Sequence, residues 1–508
     1  MRATNQRAQV SATLDFPAPT KGWVQSGNIV AAGRDQAEVL DNFIPTAQGA
    51  RLRGGIVEHA DLGAACVQVF NYSSGSTETL FGATATDIYD TANVGGGAVR
   101  ASLTSGDWST AQISTSGGQF LVGVNGADTG WTYNGSFAGI SLTGVTASDL
   151  SQVWLFKERL FFVEEATTSV WYLPVESIGG TVTEIDLGAV LNKGGNILFG
   201  ATWSLDSGSG LDDVCVFVSS NGEIAVYEGT DPSNASTWSL VGVYDIGKPL
   251  NKHGSFRAGG DLAILTVDGI VPVSAAIKKD RAALQLDAIT YPIEDAWRSA
   301  VANRTAAYPV TATLWQSRTM LLVGTPEQAG GKNISFAANA RTGGWGRFTG
   351  WDVRCSAVSN DILYFGSNNG KVYVADEGGT DDDVQFTGIY VPKFATGGKL
   401  MDANAVSLTY RATAEIDIDF AAHGDYQVDE IVAPAVTLAV SGDVWGTGVW
   451  GTFVWGSGAE LFSFTTWQAA YATGYSLAPS FAVTSNQVAA LGLELLVARL
   501  RYETGYDL

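Results

Sequence analysis

Basic residues are scarce: 29 Lys and Arg stand against 51 Asp and Glu in 508 residues, a net charge of −22. Gripping duplex DNA requires clustered cations on the phosphates, so this balance argues against a DNA clamp. Cysteine occurs three times, singly, as Cys66, Cys215 and Cys355, which supplies neither a disulfide framework nor a CxxC pair. The three histidines, His59, His253 and His423, lie far apart and outside any ligand spacing such as HExxH; they read as surface or loop residues. No apolar run approaches the ~18 residues of a membrane span. The stretch Met1–Phe16 lacks the apolar core of a secretion signal. Together these absences lead us to expect a soluble protein made in a reducing cytoplasm, with no membrane span. A GxSxG elbow is missing. Gly95-Gly96-Gly97 and Gly330-Gly331-Lys332 have the glycines of a phosphate loop, but the second lacks a P-loop's glycine-to-lysine spacing and its Ser or Thr. No catalytic residue, cofactor or metal site is therefore expected, and the chain is read as a non-enzyme.

What the sequence has is apolar residues, 45% of the total, and 61 glycines, with only 16% charged. Such a chain can offset the entropy of folding and is not a disordered acidic tail. Its length suits about three domains or one large repetitive body. A unit recurs: an apolar strand, a small-polar turn, then a second strand carrying an aromatic. The clearest copies are Ile362–Gly366, Ser367-Asn368-Asn369-Gly370, Lys371–Val374; and Val214–Val218, Ser219-Ser220-Asn221-Gly222, Glu223–Tyr227. Asn-Gly provides the positive φ of a tight hairpin, and the flanks alternate with period two. A third copy runs from Leu160 through a turn to Val170–Leu173, and looser ones begin at Leu80, Phe120, Leu262 and Met320. Starts 40 to 58 residues apart match the ~40–50 residues of a four-stranded propeller blade. The expected fold is all-β: a β-propeller of six or seven blades over residues 61–380, a C-terminal β domain over 381–508, and few short helices. A pair of β-sandwiches would need the same hairpins but not the regular spacing.

Two segments have helical spacing. Arg34 to Phe43 places Ala37, Val39, Leu40 and Phe43 on one side, within an N-terminal segment 1–60 expected to make assembly contacts. Ile289, Ile293, Trp297 and Val301 recur every four residues, with Glu294, Asp295 and Arg298 off the stripe. Asp381-Asp382-Asp383 reads as a solvated acidic boundary loop; calcium is the alternative, although the pattern is not that of an EF-hand. Beyond it, strands are expected at Val406–Tyr410, Glu415–Phe420, Val432–Val440, Leu461–Phe464 and Leu493–Tyr502. Trp445, Trp450 and Trp455 stand five apart, each followed by glycine. They read as aromatic corners of a small β domain, or as an interface, where tryptophan is enriched.

Several patches resemble one family. Pro17-Ala18-Pro19 with Gly22-Trp23, Ala37-Glu38-Val39-Leu40-Asp41-Asn42-Phe43-Ile44-Pro45 and Arg51-Leu52-Arg53-Gly54-Gly55 are similar to the opening of a group of tailed-phage virion proteins. Gly344-Trp345-Gly346-Arg347-Phe348-Thr349-Gly350-Trp351, then Leu363–Gly366 and Gly370–Tyr373, resemble the same group, as does the Trp-Gly stretch near residue 450. Phe43 departs from the family, which has Trp there. The resemblance is to the tail nozzle (tail tubular protein B) class of short-tailed phages. It implies a β-propeller subunit of a homohexamer in the virion tail, below the tail adaptor proteins and beside fibres or spikes, enclosing the channel through which double-stranded DNA leaves without specific binding. The net acidity is compatible, because an acidic wall repels phosphates within roughly a Debye length of 8–10 Å and offers no sticking points; acidity serves solubility equally well. Two other readings remain open. A propeller glycosidase would need inward-facing carboxylate pairs about 5–10 Å apart. A hub or receptor-binding protein would use residues 384–508 to contact the host.

Overall fold

The computed structural model describes residues 11–27, 33–204, 213–305, 308–329, 331–429, 431, 434 and 461–504. They form two compact units, one of residues 58–335 and 352–374, the other of 1–57, 336–351 and 375–508. The N-terminal segment thus shares a unit with the C-terminal strands and is not a separate piece. The tryptophans 445, 450 and 455 lie outside the described residues, as does nearly all of 432–440.

The first unit is a β-propeller. Six small antiparallel sheets follow one another, with first strands Gln68–Ser74, Ser109–Thr115, Leu150–Phe156, Ile197–Trp203, Ser255–Ala258 and Cys355–Ser359. The hairpin Thr311–Trp315 and Met320–Ala329 stands between the last two, its first strand against both of theirs. Hairpins expected from the sequence lie within blades: Val214–Ser219 pairs Glu223–Gly229, and Ile362–Gly366 pairs Lys371–Ala375; the unit expected from Met320 does not, since Met320–Ala329 is in none of the six sheets. The last sheet is completed by Ile56–Asp61 beside Lys371–Ala375, so chain start and chain return share one blade and close the ring without a covalent link.

Apolar layers between blades hold this ring. Trp154, Phe161 and Phe217 pack between the third and fourth sheets, where the indole of Trp154 lies flat on Gly200. A Cβ at Gly200 would stand 2.3 Å from that ring, so only glycine admits the contact. Phe70, Phe81, Trp108 and Trp131 pack between the first and second. Between the last and first, the buried thiols of Cys66 and Cys355 are 3.8 Å apart. Their hydrogen bond, then burial, raises the Cys66 thiol well above its ordinary value, keeping it protonated. The helical stripe near residue 297 is real: Glu294–Asn303 is a helix whose Trp297, Ala300 and Val301 are buried, with Trp297 Nε1 donating to the Thr266 carbonyl at 3.1 Å. Ile289 precedes it.

The second unit is one mixed sheet whose longest members are Ala395–Ala412 and Ala472–Ser485. Here the expected helix over 34–43 is corrected: Gln36–Asp41 and Phe43–Pro45 are strands. Gln36–Asp41 has neighbours on both sides, Gly22–Trp23 in parallel and Phe386–Pro392 antiparallel, with a register shift between Ala37 and Val39. A strand buried on both faces need not alternate, and the bulge adds the extra residue that imitates helical spacing. Residues 415–418 are likewise not strand; the strand there is Asp419–Gly424.

Arg53 is the centre of this unit. Its side chain has no exposure, yet all five guanidinium N–H groups are used. Nη1 and Nη2 each donate to Asp381 at 2.7 Å, Nε to Asn42 Oδ1 at 2.9 Å, and the remaining two hydrogens to the carbonyls of Gly54 at 2.8 Å and Thr349 at 3.0 Å. The cation lies 4.0 Å from the ring centre of Phe386 and 4.8 Å from that of Trp351. Asn42, in the left-handed region at φ 61°, receives the Thr349 amide and donates to the Thr387 carbonyl at 2.7 Å. Arg347 forks onto Asp41 at 2.6 Å. Gly346 lets the chains meet, since a Cβ there would stand 2.0 Å from the Phe43 carbonyl oxygen. The acidic loop is therefore not simply solvated: Asp381 is the counter-ion of Arg53 and accepts from Trp351 Nε1 at 3.2 Å.

Removing one partner of a buried ion pair strands the other, so Arg53→Met and Asp381→Leu are each expected to cost about 3–5 kcal/mol. The double variant should lie nearer wild type than either single one. Calorimetric unfolding checks this, and single variants within about 0.5 kcal/mol of wild type would contradict it.

Candidate functional site

The first strands of neighbouring blades line the centre of a propeller, so residues just before them gather at one mouth of the ring. A cavity of about 400 Å³ lies there, lined by Gln68, Asp107, His253 and Arg354 from the starts of four blades' first strands, by Thr311 from the start of the intervening hairpin and by Arg304 from the end of the helix. Asp107 is held from the far side of the ring. His253 Nε2 lies 2.6 Å from its Oδ1, Lys252 Nζ lies 3.2 Å from its Oδ2, and the same ammonium donates to the Asp107 carbonyl at 2.7 Å. Asp107 leads into the second blade and His253 into the fifth, so this cluster is a strut across the propeller's own axis.

Burial alone would raise the Asp107 carboxyl. The charge and hydrogen bond of His253, then those of Lys252, outweigh it and hold the group well below the usual carboxylate range. The cavity lining has this one carboxylate among the described residues, so no acid–base pair of the glycosidase type is formed within it.

Other expected features fall elsewhere. His59, in the strand Ile56–Asp61, meets Thr91 Oγ1 at 3.1 Å. His423 is buried rather than exposed; its Nδ1 accepts the Asp429 amide at 3.3 Å, and burial lowers its pKa. Val94–Gly96 is a single 3₁₀ turn. No group of three His, Cys, Asp or Glu among the described residues is placed to hold a metal ion. No helix among them is long and apolar enough to cross a membrane.

A second feature lies in the other unit. Phe462–Gln468 pairs with Ala395–Ala412 alone among the described strands. It exposes Phe462 and Trp467, and the chain after it exposes Tyr471 and Tyr475, at 49–79% of their full surface. A strand edge that has no partner among the described residues and carries large exposed aromatics suits pairing with another chain. Neither feature was found from the sequence. The mouth residues come from separate elements; Asp107, His253 and Arg354 stand one or two places before their strands, whereas Gln68 and Thr311 are the first residues of theirs.

Solved structures similar to this chain include the computationally designed protein Ika8, with a TM-score of 0.36 at 10% identity over 63% of this chain and 99% of that one. The β-propeller domain of Cps50 (Swd1) from Myceliophteria thermophila gives 0.40 at 10% identity, over 64% and 99%. YCF48 from Cyanidioschyzon merolae gives 0.35 at 10% identity, over 66% and 97%. No protein-family model and no curated protein matches the sequence.

The depressed Asp107 carboxyl has a pH consequence. Its contribution to stability is complete above the unfolded value of about 3.9 and is lost as the pH falls through the lower folded value. Asp107→Asn should cost about 1–3 kcal/mol at neutral pH by disrupting its hydrogen bonds with His253 and Lys252. The gap to wild type should stay level down to about pH 4 and shrink below it. Urea unfolding across pH reads this, and a gap that persists unchanged in strong acid would count against it.

Proposed function

We propose that this protein is a structural virion component, a subunit of the tail nozzle of a short-tailed phage that works by self-assembly into a ring. The observation that carries the reading is the convergence of the family-like patches. Asn42, Arg53 and the stretch from Trp345 to Trp351, far apart in sequence, meet around one buried guanidinium. Residues that resemble a family in separate places and then form one framework support the resemblance beyond common turn vocabulary.

The strut adds a constraint. Lys252 and His253 reach across the propeller axis to Asp107, so DNA does not pass through the propeller's own centre. Any conduit lies between copies, each propeller serving as a wall segment. A net charge of −22 per copy keeps such a wall from holding the polyanion. Self-contact is assigned to the Phe462–Gln468 edge, by strand addition with aromatic anchors. Hexamer stoichiometry, the tail adaptor and the fibres or spikes as neighbours come from the resemblance.

Light scattering and negative-stain imaging of the purified chain test this. The expected result is a closed ring in the wild type and monomers in a Phe462→Ser, Trp467→Ser double variant, whose exposed side chains are not needed for folding. A wild-type chain that stays monomeric at all concentrations, or a variant that forms the same rings, would refute the assembly mode.

A further inference from the structure

In a chain where acids outnumber bases, the axial cavity holds two guanidinium groups with no carboxylate paired to them among the described residues. Arg304 and Arg354 both line it. Arg304 donates from Nη1 to the Val301 carbonyl at 2.6 Å, and Arg354 from Nη1 to Asn368 Oδ1 at 3.2 Å. Neither has an ion-pair partner among the described residues. The Nε–H of Arg354 is buried and makes no hydrogen bond. A buried donor without an acceptor costs free energy and calls for an explanation. The one carboxylate of the lining, Asp107, is already taken by His253 and Lys252, so it does not oppose an incoming anion.

We infer that the cavity is a binding site for a small organic anion, a ligand whose carboxylate or phosphate oxygens take the unused N–H groups of Arg304 and Arg354. The guanidinium fork matches the paired oxygens of either group. A volume of about 400 Å³ lies toward the small end of ligand pockets, which fits a body the size of a monosaccharide and not a polymer. His253 keeps one ring nitrogen on Asp107 and cannot turn away without breaking the strut, so the cavity's shape is fixed before the ligand arrives. The site is complete within one propeller and is independent of ring formation, so it stands or fails separately from the tail reading.

Isothermal titration calorimetry of the full chain, in chloride buffer at neutral pH, tests the site with two probes, inorganic phosphate and glucuronate. At least one should bind once per chain. Phosphate binding alone assigns a phosphate ligand, glucuronate alone a carboxylate, and both the shared oxyanion chemistry. Affinity should fall at least about tenfold in Arg304→Gln and in Arg354→Gln. It should not change in Arg341→Gln, an exposed arginine of the other unit. Arg304 is exposed, so its variant carries the test if Arg354→Gln does not fold. No binding of either probe up to about 10 mM, equal affinity in wild type and Arg304→Gln, or an equal loss in Arg341→Gln would each overturn the inference.

Discussion

A buried cation must be fully paired or it unfolds its surroundings, and Arg53 meets that condition with five hydrogen bonds and two aromatic faces. Its partners come from three stretches of chain: Asn42 before the propeller, Thr349 and Trp351 before the last blade, and Asp381 and Phe386 after it. The sheet containing them can form only when all three have arrived. Desolvating an ion pair gains little net stability, but a half-made pair is strongly penalised, which selects one arrangement of these segments over near alternatives. Gly346 serves the same end by letting two backbones touch. The propeller obeys a related rule: its ring closes when Ile56–Asp61 and Lys371–Ala375 pair in one sheet, with Lys371 on Glu58 at 2.7 Å.

The parts of the fold legible in the sequence are those whose cause is local. Asn-Gly turns and period-two flanks fix hairpins such as Val214–Gly229, and these are blade centres. The helix at Glu294–Asn303 was readable because one face alone is buried. Reading failed where tertiary neighbours decide. Gln36–Asp41 lies between two sheet neighbours and carries a register shift between Ala37 and Val39, so its spacing keeps no steady period. Ala472–Ser485 was missed although it is central, because its residues are small and Pro479 sits in its middle. That proline is tolerated: it falls where one neighbour, paired as far as Leu477, gives way to the next, paired from Phe481, so no amide is demanded on that side. Asp381 read as a solvated loop because its counter-ion lies far away in sequence.

The candidate sites were illegible for a related reason. Asp107, His253 and Arg354 come from separate blades and Arg304 from the end of a helix, so together they carry no spacing signature. What the sequence does convey is an excess of acid, and the structure places a small cationic island at one mouth of the propeller against that background. The strut from the fifth blade to Asp107 makes the propeller a plugged body. That geometry separates two uses of a ring of sheets: a hole to thread, or a wall to stack.

The proposal that this chain is a tail subunit whose propeller is wall and not pore is open to one direct measurement, electron cryo-microscopy of phage particles assembled with this chain. Subunits arranged around the tail axis, with DNA density between copies and the Lys252–Asp107 strut intact in each, are the expected result. DNA density through the middle of a single propeller, or isolated copies away from the tail axis, would contradict it.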